Sequence, residues 1–261
     1  MVDIDKIKSS IEGNCFISSV HYLKEIDSTN TYASDKNISV DSLIITDHQF
    51  SGKGRLDRSW ESAKDLNLTF SIKKRLTLSP AENHFLVCFV SFYVFRTVYK
   101  ELEESLTENE LNKLFIKWPN DILFDDKKIC GILVESKLPS NEYVIGIGIN
   151  CNQKVFSSGI QATSIFNITG KQVDINNLLL NLIDSFSENF KELLTSEFEN
   201  IFKKWKKTTK IIGKVCSFDS GNGTITNGKI IDLKADGSIS IQTGETLTDF
   251  YSGDIRITGF D

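Results

Sequence analysis

Ser51-Gly52-Lys53-Gly54-Arg55-Leu56-Asp57-Arg58-Ser59-Trp60 places two glycines and three cations within seven residues of a chain whose formal net charge is −5. Glycine lets a backbone approach a ligand closely or take a positive φ, and cations neutralise a phosphate or carboxylate. An acidic chain that gathers positive charge on one Gly-rich loop suits a small anion better than a polyanion. A second cationic segment strengthens that reading: Lys117-Trp118-Pro119-Asn120-Asp121, followed by Lys127-Lys128-Ile129-Cys130-Gly131-Ile132-Leu133.

Outward from these segments, short apolar strands alternate with helices. Residues 42–46 read as a strand that delivers the chain into the Gly-rich loop, and residues 4–11 as a short amphipathic helix. Residues 16–23 alternate as a strand, and Asp27-Ser28-Thr29-Asn30 offers N-cap chemistry for a following helix. Residues 66–72 alternate apolar and polar side chains, the pattern of a half-buried strand. Ser79-Pro80 opens a long helix with Pro at its first position and Glu82 in its first turn. Residues 114–118 form a strand into the Pro119-Asn120-Asp121 turn, and 122–124 with 128–135 read as a hairpin across Asp125-Asp126-Lys127. Residues 143–150 form an apolar strand whose interior Gly146 and Gly148 mark close approach of a ligand or another backbone. Asp174 caps a helix to about residue 194, and a second helix covers 197–207.

After residue 208 the texture changes to short β runs separated by turns such as Asp219-Ser220-Gly221-Asn222-Gly223 and Asn227-Gly228. About five strands in some fifty residues fit a small SH3-like β-barrel. The expected fold is α+β: a mixed β-sheet flanked by helices over residues 1–210, and a small C-terminal β domain over 211–261.

Composition narrows the function. A pI near 5.4 argues against broad nucleic-acid binding, which needs many phosphate-facing cations. The basic run Lys203-Lys204-Trp205-Lys206-Lys207 reads either as a solvated last helical turn or as a partner contact. Five scattered cysteines without a C-x-x-C pair suit free thiols in a reducing cytoplasm, and three histidines show no metal-ligand spacing. No secretory signal is visible at the N-terminus. The apolar run at 85–95, about a dozen residues, is shorter than the roughly 20 that span a bilayer, so it reads as a buried helix.

The elements D-S-T-N (27–30), G-K-G-R (52–55), K-W-P-N-D (117–121), K-x-x-G-I-L-V-E (128–135) and G-I-G-I-N (146–150), in that order, resemble those of the biotin–protein ligases. The resemblance covers nearly the whole chain, including Gly253-Asp254-Ile255 in the C-terminal segment. It implies activation of the biotin carboxylate by ATP, with Mg²⁺, to biotinyl-5′-AMP. Biotin would then pass to a lysine of a biotin carboxyl carrier protein. Carboxylate attack on the α-phosphorus brings two anions together, so cations must surround the meeting point.

Residue by residue, the resemblance puts Ser28, Thr29 and Asn30 at the biotin ureido head, with Asp27 or Ser28 also free to act only as a helix cap. Gln49 would hydrogen-bond the biotin region, and Gly131, Leu133 and Gly146 would line its wall. Lys53, Gly54 and Arg55 would close over biotin and phosphate, with Arg55 retaining the adenylate. Lysine at 53, where many members carry Arg, keeps the charge and loses the bidentate fork. Lys128 would be the catalytic cation between biotin carboxylate and α-phosphate, and Lys117 would face the nucleotide phosphates. Asp121 would orient Lys128 or bind Mg²⁺ indirectly, or only cap the turn. Arg58, Trp60, Asn120 and Asn150 complete the expected nucleotide side, Asn150 at the adenine. Arg58 could also serve only the surface, and Trp60 only packing.

With its first motif at Asp27, the chain reads as a ligase-only form, without a DNA-binding winged helix. Glycines in the 143–150 strand and an exposed sheet edge would permit a homodimer. The alternatives are a lipoate or octanoate ligase of related fold, whose R-R-x-S-G-G-G loop is missing here, and a non-catalytic biotin or nucleotide sensor.

Overall fold

The computed structural model describes residues 1–56, 58–137, 139–221 and 224–259. Asp57 of the Gly-rich loop and Asn222-Gly223 of the turn read after Asp219 lie outside the described residues.

Among the described residues, fourteen strands and eight α-helices follow one another. Helix α1 is Ile4–Ser10, β1 Ser19–Ile26, α2 Thr29–Ala33, β2 Ser42–Gln49, β3 Gly52–Lys53, β4 Ser59–Trp60 and β5 Leu68–Arg75. Helix α3 is Asn83–Glu103, α4 Glu108–Leu111, β6 Leu114–Lys117, β7 Asp121–Phe124, β8 Lys127–Lys137 and β9 Glu142–Ile149. Then come α5 Ile165–Thr169, α6 Ile175–Asn189, α7 Lys191–Leu194 and α8 Phe198–Thr209. The C-terminal strands are β10 Val215–Asp219, β11 Ile225–Leu233, β12 Ile239–Thr243, β13 Thr246–Phe250 and β14 Asp254–Gly259.

Seven strands form a mixed sheet in the order β1-β2-β5-β9-β8-β7-β6, in which only β1 and β2 run parallel. That pair is joined through α2, as a parallel connection requires a crossover. Helices α3, α6 and α8 supply the apolar cover, with Leu86, Phe89, Val94, Leu182, Phe186, Ile201 and Trp205 buried in one core with Phe70, Ile72 and Ile145. Each such side chain contributes about 1.5–3 kcal/mol when fully buried. The C-terminal strands make a five-stranded antiparallel sheet, β13-β12-β11-β10-β14, a small barrel-like unit whose Phe218, Ile230 and Ile255 join the same core.

Several details differ from the sequence reading. Strand β5 is buried on both faces, not half-buried, because the side chains of Thr69 and Ser71 point to a polar cleft and not to bulk water. The Gly-rich loop folds as a hairpin, with Gly52 opposite Trp60 and Lys53 opposite Ser59. The glycine-bearing strand β9 lies between β5 and β8 in mid-sheet, and the sheet edges are β1 and β6. The long helix also starts later than expected: Ser79 and Glu82 form a capping box around a 3₁₀ turn, Pro80–Glu82, ahead of α3.

In the basic run 203–207, Lys203 pairs with Glu199, Lys204 with Glu192 and Lys206 with Asp232, while Trp205 is buried. The five cysteines are free, and all but Cys15 are buried. Among the described residues no helix is long and apolar enough to cross a membrane.

Candidate functional site

A cleft opens over strands β5, β9 and β8, roofed by the β3–β4 hairpin and closed at one side by β14. Its character changes along its length from neutral polar, through a glycine and apolar floor, to cationic.

The neutral end is built by α2 and its neighbours. Ser28 is the N-cap of α2, its hydroxyl accepting from the Thr31 amide, so the capping reading holds. Gln49 Oε1 accepts from the Thr29 amide at 2.8 Å and the Thr29 hydroxyl at 3.2 Å. Ser71 Oγ lies 2.7 Å from Thr29 Oγ1 and 2.6 Å from Asn30 Oδ1, and Asn30 Nδ2 donates to Glu135 at 2.7 Å. Buried hydroxyls and amides therefore sit in a satisfied network, held in fixed orientation.

Next come Phe70, Ile132, Leu133, Ile147 and the glycines. Gly131 stands opposite Gly148 and Leu133 opposite Gly146 across β8 and β9. Side-chain-free positions let Trp60 lie on the sheet: a Cβ at 148 would come within 2.6 Å of its Cζ2. Lys128 Nζ lies 5.4 Å from the Trp60 ring centroid.

The cationic end is an alternating chain of charge. Lys128 Nζ is 2.7 Å from Asp121 Oδ1, and Lys117 Nζ is 3.7 Å from Asp121 Oδ2 and 3.0 Å from Asp254 Oδ1. The second Asp254 oxygen accepts from Arg58 Nη1 at 2.6 Å. Burial acts to raise the Asp254 carboxyl, but Lys117 and Arg58 outweigh it and hold it below the ordinary carboxylate range. The hydrogen bond to Asp254 in turn raises Arg58. Arg55 Nη1 donates to Asn120 Oδ1 at 3.1 Å, and burial draws its guanidinium below its usual value while leaving it a cation.

Local irregularity aims Lys128. The β7–β8 pairing slips between Ile122 and Leu123, so that Cys130 faces Ile122 and Lys128 faces Leu123, leaving Ile129 extra. This β-bulge sends both Ile129 and Cys130 into the core and returns Lys128 and Gly131 together to the cleft. The two-residue turn that starts β8 has positive φ at Asp125 and Asp126, the geometry of a tight hairpin. Burial pushes the Cys130 thiol up, so it supplies no thiolate beside Lys128.

The cleft brings together Ser28, Thr29, Asn30, Gln49, Lys53, Gly54, Arg55, Arg58, Trp60, Asn120, Asp121, Lys128, Gly131, Leu133 and Gly146. Lys117 stands one ion pair behind it. Asn150 does not line it: its amide donates to the carbonyls of Lys128 and Thr163, bracing the backbone that carries Lys128, and its Oδ1 is buried without a partner. Sequence reasoning gave no site role to Ser71, which braces Thr29 and Asn30, to Glu135, which accepts from Asn30, or to Asp254 of the cleft, although Glu135 and Asp254 lie in the quoted motifs.

Among the described residues two carboxylates line the cleft, Asp121 and Asp254, both paired to cations, and no group of three or more His, Cys, Asp or Glu is placed to hold a metal. Mg²⁺ commonly binds through one or two carboxylates plus substrate phosphates. This donor set fits a Mg²⁺ ion that arrives with a nucleotide, not one held by protein alone.

A sequence model of the biotin/lipoate A/B protein ligase family matches residues 22–152, half of the chain, a range that takes in the cleft residues from Ser28 to Gly148. The chain belongs to that family. Among solved structures it is similar to the biotin protein ligase from Aquifex aeolicus in complex with biotin and ATP, with a TM-score of 0.75 and 29% identity, covering 93% of this chain and 99% of that one. Among curated proteins, the bifunctional ligase/repressor BirA of Bacillus subtilis is 27% identical over 231 residues, 86% of this chain and 68% of that protein. The biotin–[acetyl-CoA-carboxylase] ligase of Paracoccus denitrificans is 28% identical over 202 residues, 74% of this chain and 81% of that protein. These relatives agree with the resemblance read from the five ordered motifs: within its family the chain groups with the biotin protein ligases, which are enzymes.

Proposed function

We propose that this protein condenses biotin with ATP to biotinyl-5′-AMP, releasing pyrophosphate, and then transfers biotin to a lysine of a biotin carboxyl carrier domain. The polarity gradient of the cleft carries this reading. A ureido head needs donors and acceptors without charge, which Thr29, Asn30, Gln49 and Ser71 offer. An apolar bicycle and valeryl chain need the floor of Phe70, Ile147 and glycine, and a carboxylate needs Lys128.

In the first step a biotin carboxylate oxygen bonds to the α-phosphorus of ATP, and the bond from that phosphorus to the bridging oxygen breaks, expelling pyrophosphate. Lys128 neutralises the approaching carboxylate and the α-phosphate, and Asp121 holds its ammonium in place. Lys117 and Arg58 face the leaving phosphates, while Lys53 and Arg55 on the hairpin and its flank retain the mixed anhydride. Asp121 would hold Mg²⁺ together with phosphate oxygens, and the ion would share neutralisation of the leaving group. In the second step the carrier lysine amine attacks the biotinyl carbonyl and AMP leaves. Residues 1–210 form the catalytic unit in this account, and 211–261 supply Asp254. Four buried thiols suit a reducing compartment, the cytoplasm.

Incubation with ATP and either biotin or lipoate, read as pyrophosphate release, tests the substrate. Release with biotin is expected; release with lipoate alone would overturn the reading.

A further inference from the structure

We propose that Asp254 is a positioning residue of the C-terminal sheet that latches the β3–β4 hairpin over the cleft and presents Lys117 and Arg58 to the nucleotide phosphates. The nucleotide part rests on the function proposed above; the latch does not.

Asp254 belongs to the C-terminal sheet yet makes none of its ion pairs there. Its two oxygens divide between Lys117 of the central sheet at 3.0 Å and Arg58 of the hairpin at 2.6 Å. One carboxylate therefore joins three separate pieces of chain. Its own position is fixed from behind. Asp254 pairs with Asp219 at the start of β14, and Gly253 before it takes φ +143, a backbone that side-chain-bearing residues rarely adopt. A Cβ at 253 would also strike the Phe218 ring and the Asp219 carbonyl.

The hairpin meets the same sheet a second time, through Leu56 packed by Gly221. Arg58 is half exposed, so its ion pair adds little to global stability. Lys117 and Asp254 are mostly buried, where fixed geometry is the main product of the pair. The consequence is local: without Asp254 the hairpin loses its anchor, and Lys117 keeps only the longer contact to Asp121 at 3.7 Å.

Two readouts test this. In the ligand-free protein, trypsin cleavage after Lys53, Arg55 and Arg58 should accelerate about tenfold in Asp254→Asn and return near wild type in Asp254→Glu, as expected of a local opening. In steady state, Asp254→Asn should raise KM for ATP roughly tenfold with a smaller change in kcat and in KM for biotin, the pattern of lost positioning rather than lost chemistry. Unchanged cleavage in Asp254→Asn, equal loss in Asp254→Glu, or an unchanged KM for ATP would overturn the proposal. Should Asp254→Asn fail to fold, Arg58→Gln cuts the same bond from the hairpin side, and cleavage after Lys53 and Arg55 decides. Absence of any biotin-dependent turnover in the wild type would defeat the proposed function, while the proteolysis would still decide the latch.

Discussion

Lys128 and Gly131, three residues apart on one strand, face the same cleft. On a regular strand they would point to opposite sides. The extra residue Ile129 makes the difference, and Asp121, opposite Gly131 in the pairing, then meets the Lys128 ammonium at 2.7 Å. A catalytic cation is thus set by backbone register, and its partner carboxylate comes from the adjacent strand.

Replacing Lys128 by Ala removes the charge between the two reacting anions. Adenylate formation should fall by about 10³-fold, on the order of 4 kcal/mol of transition-state stabilisation. Because the Lys128–Asp121 pair is partly open to solvent, stability should change by no more than about 1 kcal/mol. Single-turnover pyrophosphate release and urea unfolding check the two halves.

Gly146→Ala tests the close approach of Asn30 to the sheet. A Cβ there would lie 2.8 Å from Asn30 Cγ, and Asn30 cannot yield easily because Ser71 and Glu135 hold it. Overpacking should cost about 1–3 kcal/mol of stability. Biotin affinity should drop roughly tenfold with nucleotide affinity little changed, as calorimetric titration would show.

Lys73 is 1% exposed, donates to the carbonyls of Asp35 and Ile38, and lies 3.3 Å from Glu142. It ties the segment after α2 to β5. Lys73→Ala leaves the Asp35 and Ile38 carbonyls without their donor and removes one of two cations from Glu142, Arg75 remaining, so about 1–3 kcal/mol of stability should be lost, while kcat per folded molecule is retained. Chemical denaturation with parallel active-site titration distinguishes these effects.

His84 carries the pH dependence of the contact between α3 and the C-terminal sheet. Burial depresses its pKa, and its Nε2 lies 2.7 Å from the Ala235 carbonyl, the place of a donor in the neutral ring. A depressed folded-state value means that the unfolded chain takes up the proton first. The stability His84 contributes is therefore present above the ordinary histidine range and is lost as pH falls through that range toward the folded value. Thermal unfolding between pH 5 and 8 should show a loss on acidification that is blunted in His84→Gln.

Much of this site was legible because its residues cluster in short motifs. G-K-G-R, K-W-P-N-D and G-I-G-I-N each fall on a turn or strand end, where few residues span the distance. What stayed hidden depends on pairing between distant segments. The bulge at Ile129 leaves no mark in the alternation of 128–135, since both Ile129 and Cys130 are apolar whichever face they occupy. Ser71 carried the same signal as any solvent-facing polar residue of a half-buried strand; only the placement of α2 above β5 turns that face into a binding cleft. Gly146 and Gly148 were marked as points of close approach, but the groups that approach, Asn30 and Trp60, come from more than eighty residues away. Asp254 reaches the site only once the C-terminal sheet is folded.

The central claim is that one cleft activates biotin and hands it to a protein lysine. Transfer of labelled biotin from ATP and biotin to an isolated biotin carboxyl carrier domain tests it most directly. Wild-type protein should label the carrier lysine in an ATP-dependent manner, and Lys128→Ala should not. Binding of biotin without any labelled carrier, or undiminished labelling by Lys128→Ala, would contradict the account.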